Sequence, residues 1–450
     1  MVEERDGAAL GHSNRQAMRP EVSHPSWRGL VTLVLLVAAT ACFVAIVSLR
    51  QGPPSVGDTV PLTSVTTDLS LGRLHAAAAQ DSLPNPPGYA LLVSPLVAAF
   101  RSEVGSPAWC TPGSGTAASS SVAVYAVRPA VATGDRCGPV PLADGAVGPG
   151  LPRWFRAQGV LGLLAWLAMA VGALALLRAS GADTLGRQAG LLVFLAFLPA
   201  ASSAIVQLYH PEDILSLGLA LAGLAQGLRR RWLLAGLLFG LAFLSKQFAV
   251  LLLVPAVAAA PDLRARSRLV LAAAAVFLAG ILPFLAAAPR ATLDNLSGFS
   301  AGGAVAGSTV LTLSGVTGHV ASAVARDAPV VFAVVLCLWA WRRFGHSLGR
   351  PEALVALTLA CVGSRLVFES VIFPYYLLAT SVMIFMVDLV ARRSPYRSLA
   401  WCAAAAFFVA LHPDDQALEA WVTLALAVLA VGTGLFELVR AVSVPTEVAV

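Results

Sequence analysis

From Ala157 to Val439 the chain is a succession of apolar runs, most of them followed by arginines. About 20 residues of α-helix cross a hydrocarbon core about 30 Å thick. The runs Gly29–Leu49, Ala157–Leu177, Gln188–Leu208, Ile214–Leu228, Leu269–Ala288, Pro329–Trp341, Glu352–Val367, Val371–Val390, Leu399–Leu411 and Leu418–Val439 reach or approach that length. Helices are the form in which such segments satisfy every backbone N–H and C=O inside lipid, so the pattern predicts an all-α polytopic membrane protein with about 10 spanning helices. Composition excludes the soluble alternative: 58% of residues are hydrophobic, 12% are charged, and mean hydropathy is +0.78.

The arginines orient the runs. They cluster at Arg178/Arg187, Arg229/Arg230/Arg231, Arg264/Arg266/Arg268, Arg342/Arg343 and Arg392/Arg393/Arg397. Crossing once per run puts these clusters on one side, which the positive-inside rule makes cytoplasmic. The formal charge of +6 is then a membrane-topology signal. No basic patch with interleaved aromatics points to nucleic acid. Residues 1–28, with Arg5, Arg15, Arg19 and Arg28, read as a flexible cytoplasmic tail. Gly29–Leu49 reads as a retained anchor, because it lies far from the N-terminus and lacks a small-residue cleavage pattern. Residues 29–440 form one transmembrane domain that includes an outer loop at 50–156, and 441–450 are a second cytoplasmic tail. The expected location is the plasma membrane, multi-pass, with both termini inside. His210-Pro211-Glu212-Asp213, the segment 289–328 and the His-Pro-Asp-Asp sequence at 412–415 fall outside.

One segment resists a single crossing. Both flanks of 232–261, Arg229–Arg231 and Arg264–Arg268, belong on the cytoplasmic side. A hairpin of two half-helices, each about 13 residues and roughly 20 Å long, returns the chain to the side it left. Such short helices persist at membrane depth only inside protein or beside a wet cavity. Ser245, Lys246 and Gln247 would occupy the tip, and Lys246 is the only lysine in the chain. An intramembrane ammonium points to function; the alternative is a lysine that snorkels or pairs with a buried carboxylate.

The outer loop holds the remaining signals. Asp68 and Asp81 lie in its first part, broken by Pro84, Pro86 and Pro87. Cys110 and Cys137 are alone in the loop, and an oxidising compartment favours a disulfide between them over two thiols.

The order of several motifs resembles the GT-C superfamily of membrane glycosyltransferases. Asp68-Leu69, His75 to Ala79, Pro86-Pro87-Gly88-Tyr89-Ala90-Leu91-Leu92 and Ser94-Pro95-Leu96 resemble its first outer loop. Gln207 to Asp213 resembles an outer junction between spans. Leu234-Ala235-Gly236, Gly240-Leu241-Ala242 and Ser245-Lys246 before Leu251-Leu252-Leu253-Val254-Pro255 resemble a glycine-rich helix ending in lysine. Phe373-Pro374-Tyr375-Tyr376-Leu377 resembles a late outer boundary. Within the superfamily the pattern is most similar to the polyprenyl-phosphate-mannose-dependent α-mannosyltransferases of actinobacteria, although Leu71-Gly72-Arg73 stands where that branch carries a tyrosine.

The resemblance implies inverting transfer of a sugar, mannose in that branch, from a polyprenyl-phosphate donor to a glycolipid or glycan acceptor at the outer face, among membrane lipids. A base must take the acceptor proton, which suits a carboxylate opposite the leaving phosphate. Asp68 fills that role, or else it is a loop aspartate capping a helix over Ser70–Ala79. Asp81 is better read as a turn residue. Lys246 and Arg365 are the candidates to bind the donor phosphate, where charge builds on departure. Arg365 also stands four residues before Glu369, the spacing of a helical ion pair. His210, Glu212 and Asp213 either orient substrate or start a helix with proline and acids at its positive end. Tyr375 and Tyr376 either stack on a sugar or belong to the interfacial aromatic belt. No metal site and no cofactor are expected. The rival reading is a secondary transporter or lipid flippase, which also uses broken helices and a buried cation.

Overall fold

The computed structural model describes residues 27–49, 65–66, 68–79, 87–98, 110–111, 136–137, 152–206, 209–297, 309–316, 318–369, 372–411 and 416–443. The tail before Trp27, Asp81 with Pro84 and Pro86, the sequence at 412–415 and the tail from 444 onward lie outside the described residues. Helix α1 (Trp27–Leu49) is followed by two outer-loop helices, α2 (Leu74–Ala78) and α3 (Gly88–Ala98), and by the short strands β1 (Cys110–Thr111) and β2 (Arg136–Cys137). Next come α4 (Pro152–Ala179), α5 (Leu185–Phe197), α6 (Pro199–Val206), α7 (Pro211–Leu228), α8 (Trp232–Ser245), α9 (Val250–Ala259) and α10 (Leu263–Ala287). The chain finishes with α11 (Pro289–Ser297), α12 (Val310–Leu313), α13 (Gly318–Phe344), α14 (Pro351–Phe368), α15 (Leu377–Val390), α16 (Tyr396–Leu411) and α17 (Gln416–Ser443).

The protein is an all-α polytopic membrane protein. Six of its described helices are long and apolar enough to cross a membrane, and a seventh crossing results if α5 and α6 are one span bent by 46°. Pro199 explains that bend: it lacks an N–H and forces Leu198 before it out of the helical region, to ψ 112. The expected runs at Ile214–Leu228, Val371–Val390 and Leu399–Leu411 correspond to α7 (18 residues, with Glu212 and Asp213 in its first turn), α15 (14 residues) and α16 (16 residues), none of which is both long and apolar enough to cross by itself. The expected count of about ten therefore includes helices that do not cross by length and composition alone. Every residue of α15 is buried, whereas α1 exposes Leu30, Leu33, Val34 and Val37. An apolar outer face around an equally apolar centre is what lipid, as solvent, permits.

The return path through 232–261 is legible in the packing of α8. It runs alongside α10 in the same direction: a Cβ on Gly236 would lie 2.4 Å from the Leu269 carbonyl oxygen, one on Gly240 would lie 2.7 Å from that of Ala273, and Leu244 packs on Gly280. Two consecutive parallel helices require the segment between them to turn back, and α9 is that segment. Having turned, α9 packs mainly against α13 and α14, while α8 packs against α7 and α10. Beyond Gly280, α10 continues for about two turns, so the hairpin tip stops roughly 10 Å short of the end of that helix.

The arginines gather at the end opposite the tip. Arg266 lies 4.8 Å over the Trp341 ring, and Arg350 Nη1 donates to the Ala441 carbonyl at 3.0 Å. Arg393 and Arg397 both reach Glu437, and Arg397 also pairs with the buried Asp388.

Candidate active site

The site is built where the tip of the α8–α9 hairpin meets the start of α7. Pro211 takes the first position of α7, where its missing N–H costs nothing, and Glu212 and Asp213 occupy the first turn. Their negative charge suits the positive end of the helix dipole. Both carboxylates are buried, with 5% and 3% of their side chains exposed, and both turn toward Lys246. The ammonium lies 3.2 Å from Glu212 Oε1 and 2.9 Å from Asp213 Oδ2. Helix α8 stops at this point because Lys246 is extended, at φ −158 and ψ 137. His210 adds its Nδ1, 2.6 Å from Glu212 Oε1 and 3.9 Å from Asp213 Oδ2.

The expected helix start and the expected polar cluster are thus the same residues, and Lys246 is a paired cation. Burying such charges is tolerable only with partners, since each ion taken out of water costs several kcal/mol. With His210 neutral, the two carboxylates outnumber the ammonium by one; an imidazolium balances them. Glu212 Oε2 is buried without a hydrogen-bond partner among the described residues. His210, Glu212 and Asp213 present three potential metal-ligand atoms within 4.8 Å of one another. Lys246 already lies against both carboxylates, so a divalent ion there must displace the ammonium.

An aromatic wall backs the cluster. The His210 ring stacks on Tyr375 with centroids 4.2 Å apart. Tyr375 is flanked by Phe373 at 5.6 Å and stands perpendicular to Tyr376 at 4.7 Å. Tyr375 and Tyr376 are 4% and 8% exposed, so they line the cluster's wall and are not part of a lipid-facing belt. The Arg365 guanidinium lies 4.2 Å from the centre of the Tyr376 ring and 5.3 Å from that of Phe248. Its Nε meets Glu369, the ion pair that the spacing anticipates.

The outer-loop helices dock at the same end. Residues 68–70 form a helical turn that closes at Gly72, whose φ of +73 suits glycine. The helix expected over Ser70–Ala79 is therefore confined to α2. Its N-cap is Arg73, so Asp68 does not cap it. Asp68 is buried, and its carbonyl accepts from the Arg73 N–H at 2.8 Å. Val65, Ala77, Ala78 and Ala90 form one apolar cluster with Phe284 and Ala288. His75 Nδ1 donates to the Ala287 carbonyl at 2.7 Å. Gly88 opens α3 flush against α8, where a Cβ would come 2.4 Å from the Leu244 carbonyl oxygen. Asp68 and Lys246 thus belong to elements that share the last turns of α10 as their support.

Three contributors were not singled out for roles by the sequence: Tyr89, Tyr209 and Phe248. The hydroxyls of Tyr89 and Tyr209 lie 3.5 Å apart. A polar-tipped ring beside a helix-starting proline or after a Pro-Pro-Gly turn is the signal that marks these two tyrosines. The strands β1 and β2 pair antiparallel with Cys110 opposite Cys137.

The sequence model of glycosyltransferase family 87 matches residues 140–368. A search of curated proteins found none that matches the chain. The matched span holds His210, Glu212, Asp213, Lys246 and Arg365, and it leaves out Asp68, Tyr375 and Tyr376.

Proposed function

Because this chain belongs to glycosyltransferase family 87 and is a multi-pass membrane glycosyltransferase of the GT-C type, we propose that it moves a sugar from a polyprenyl-phosphate donor to a glycolipid or glycan acceptor. Mannose is the sugar that the sequence resemblance favours. The arginine-bearing end is cytoplasmic by the positive-inside rule, which opens the site at the outer face of the plasma membrane.

In this reading the acceptor oxygen attacks the anomeric carbon from the face opposite the phosphate. The bond from that carbon to the phosphate oxygen breaks, its electron pair leaves with the phosphate, and the configuration inverts. Asp68 takes the acceptor proton. Lys246 shares its charge with the departing phosphate as that charge grows, and Arg365 holds Tyr376 in place beside it. His210, Glu212 and Asp213 hold the ammonium and orient substrate hydroxyls, with Tyr375 and Tyr376 as the wall behind them.

The observation that carries the reading is Lys246: the chain's only lysine stands at a helix break, clasped by two carboxylates, under the outer-loop helix α3. Family membership weighs against a transporter or flippase.

The test uses purified protein in lipid nanodiscs with polyprenyl-phosphate [14C]mannose and a glycolipid extract. The expected product is a labelled glycolipid of inverted anomeric configuration. Label that stays on the polyprenyl phosphate, while donors bearing other sugars are consumed, rejects mannose. No turnover of any polyprenyl-phosphate sugar rejects the donor class.

A further inference from the structure

We infer that Tyr89 and Tyr209 form a latch that positions the first outer loop, and with it Asp68, on the Lys246 cluster. The inference rests on the reading of that cluster given above, and the two residues act as positioning residues.

Tyr209 joins α6 to α7 with a φ of +50. A bulky side chain in that left-handed region costs about 1–3 kcal/mol and persists only where its surroundings fix it. The residue that bears this strain comes directly before His210, Pro211, Glu212 and Asp213, so its turn sets the direction in which α7 starts. Its ring is buried and its hydroxyl faces that of Tyr89, 3.5 Å away, from the second residue of α3. Gly88, the neighbour of Tyr89, rests on the last turn of α8 just before Lys246. A single tyrosine pair therefore joins three elements: the loop helix, the strained turn before α7 and the hairpin tip.

The chemistry suits a latch. Burial pushes the Tyr209 phenol up, the hydrogen bond with Tyr89 pulls the other way and the Glu212 carboxylate adds to the rise, so the hydroxyl stays protonated. At 3.5 Å the two hydroxyls stand at the long end of hydrogen-bonding distance, so the pair acts by orienting two buried rings against each other and not through one strong bond. A misplacement of about 1 Å at a reacting centre costs up to roughly 100-fold in rate.

The test compares the full-length wild type with Tyr89→Phe, Tyr209→Phe and the double variant in nanodiscs. These changes remove only the hydroxyls. Hydrogen exchange over residues 65–98 should accelerate several-fold in each single variant, while α4 and α7 keep their protection. With polyprenyl-phosphate mannose as the probe, kcat should fall about 10- to 100-fold while the donor KM stays within about twofold. The double variant should be no worse than the more impaired single one. Unchanged exchange over 65–98 in both single variants overturns the latch, as does a double variant equal to the product of the two singles. Because exchange is read without turnover, an inactive wild type would reject the donor assignment and leave the latch tested. If Tyr209→Phe unfolds α7, Tyr89→Phe tests the same contact from the loop side.

Discussion

The Lys246 ammonium lies 2.9 Å from Asp213 Oδ2, joining the tip of a returning hairpin to the first turn of the helix packed beside it. Glu212 approaches the same nitrogen at 3.2 Å. In the proposed reaction a donor phosphate would therefore share a cation that is already engaged, and the cluster would hold a third negative charge while it does so. His210 is placed to relieve that excess, since its Nδ1 reaches both carboxylates.

This arrangement separates stability from function at Lys246. Lys246→Met leaves two buried carboxylates facing each other, and losing one partner of a buried ion pair costs about 3–5 kcal/mol. Adding Glu212→Gln and Asp213→Asn removes the uncompensated charge and should restore most of the lost stability. Sugar transfer should stay absent in both forms. Thermal unfolding in detergent gives the first quantity and labelled-donor turnover gives the second. Transfer at the wild-type rate in the triple variant would return Lys246 to a purely structural role.

Asp68→Asn keeps the size of the side chain and removes its capacity to accept a proton. We expect transfer to fall about 100- to 10,000-fold, the range supplied by a positioned general base. Expression and membrane insertion should be unchanged, because the apolar cluster of Val65, Ala77, Ala78 and Ala90 with Phe284 is untouched. A rate within about twofold of the wild type would take Asp68 out of the chemistry.

The strand register makes the outer cysteines testable. Directly opposed residues of an antiparallel pair have Cα atoms about 4.5–5.5 Å apart, inside the window of about 4.4–6.8 Å that disulfides occupy. With Cys110 opposite Cys137, peptide mass mapping under non-reducing conditions should recover the two as one linked species. Cys110→Ser, Cys137→Ser and the double variant should then lose the same amount of stability. Two freely alkylated thiols in membranes from an oxidising compartment would reject the bond.

The hairpin is legible in the sequence because charge and length conflict: arginines stand on both flanks of 232–261 with room for only half-helices between them. The spacing of Gly236 and Gly240 was visible too, but its reason, the approach of Leu269 and Ala273, was not. The apolar runs were readable as helices, yet the bend at Leu198 and the shortness of α15 depend on Pro199 and on the 3-10 turn Pro374–Tyr376. What stayed hidden came from long-range contact. The stacking of His210 on Tyr375 and the Tyr89–Tyr209 pair join residues far apart in the chain, and hydrophobic periodicity carries no information about such pairs. For the same reason the sequence favours an aromatic belt for Tyr375 and Tyr376, and it is their burial that places them inside the protein.

Arg365 offers the last discrimination, between a phosphate ligand and a structural post. Its guanidinium lies over the Tyr376 ring and near Phe248 while Nε meets Glu369. A planar, delocalised cation can stack and pair at once, whereas a lysine ammonium is a compact, strongly hydrated charge. Arg365→Lys should therefore lower stability by about 1–2 kcal/mol through the lost stacking. If Arg365 serves the donor only as a nearby positive charge, Arg365→Lys keeps most of the turnover once the protein is folded, and Glu369→Gln raises donor affinity by freeing the cation. If Arg365 instead holds Tyr376 and the wall behind His210 in place, Arg365→Lys and Phe248→Leu both lower kcat, and Glu369→Gln leaves donor affinity unchanged. Donor KM and kcat for these three variants, read beside their unfolding temperatures, separate the two roles. The short path from Arg365 through Tyr376 and Tyr375 to His210 leads us to expect the second outcome.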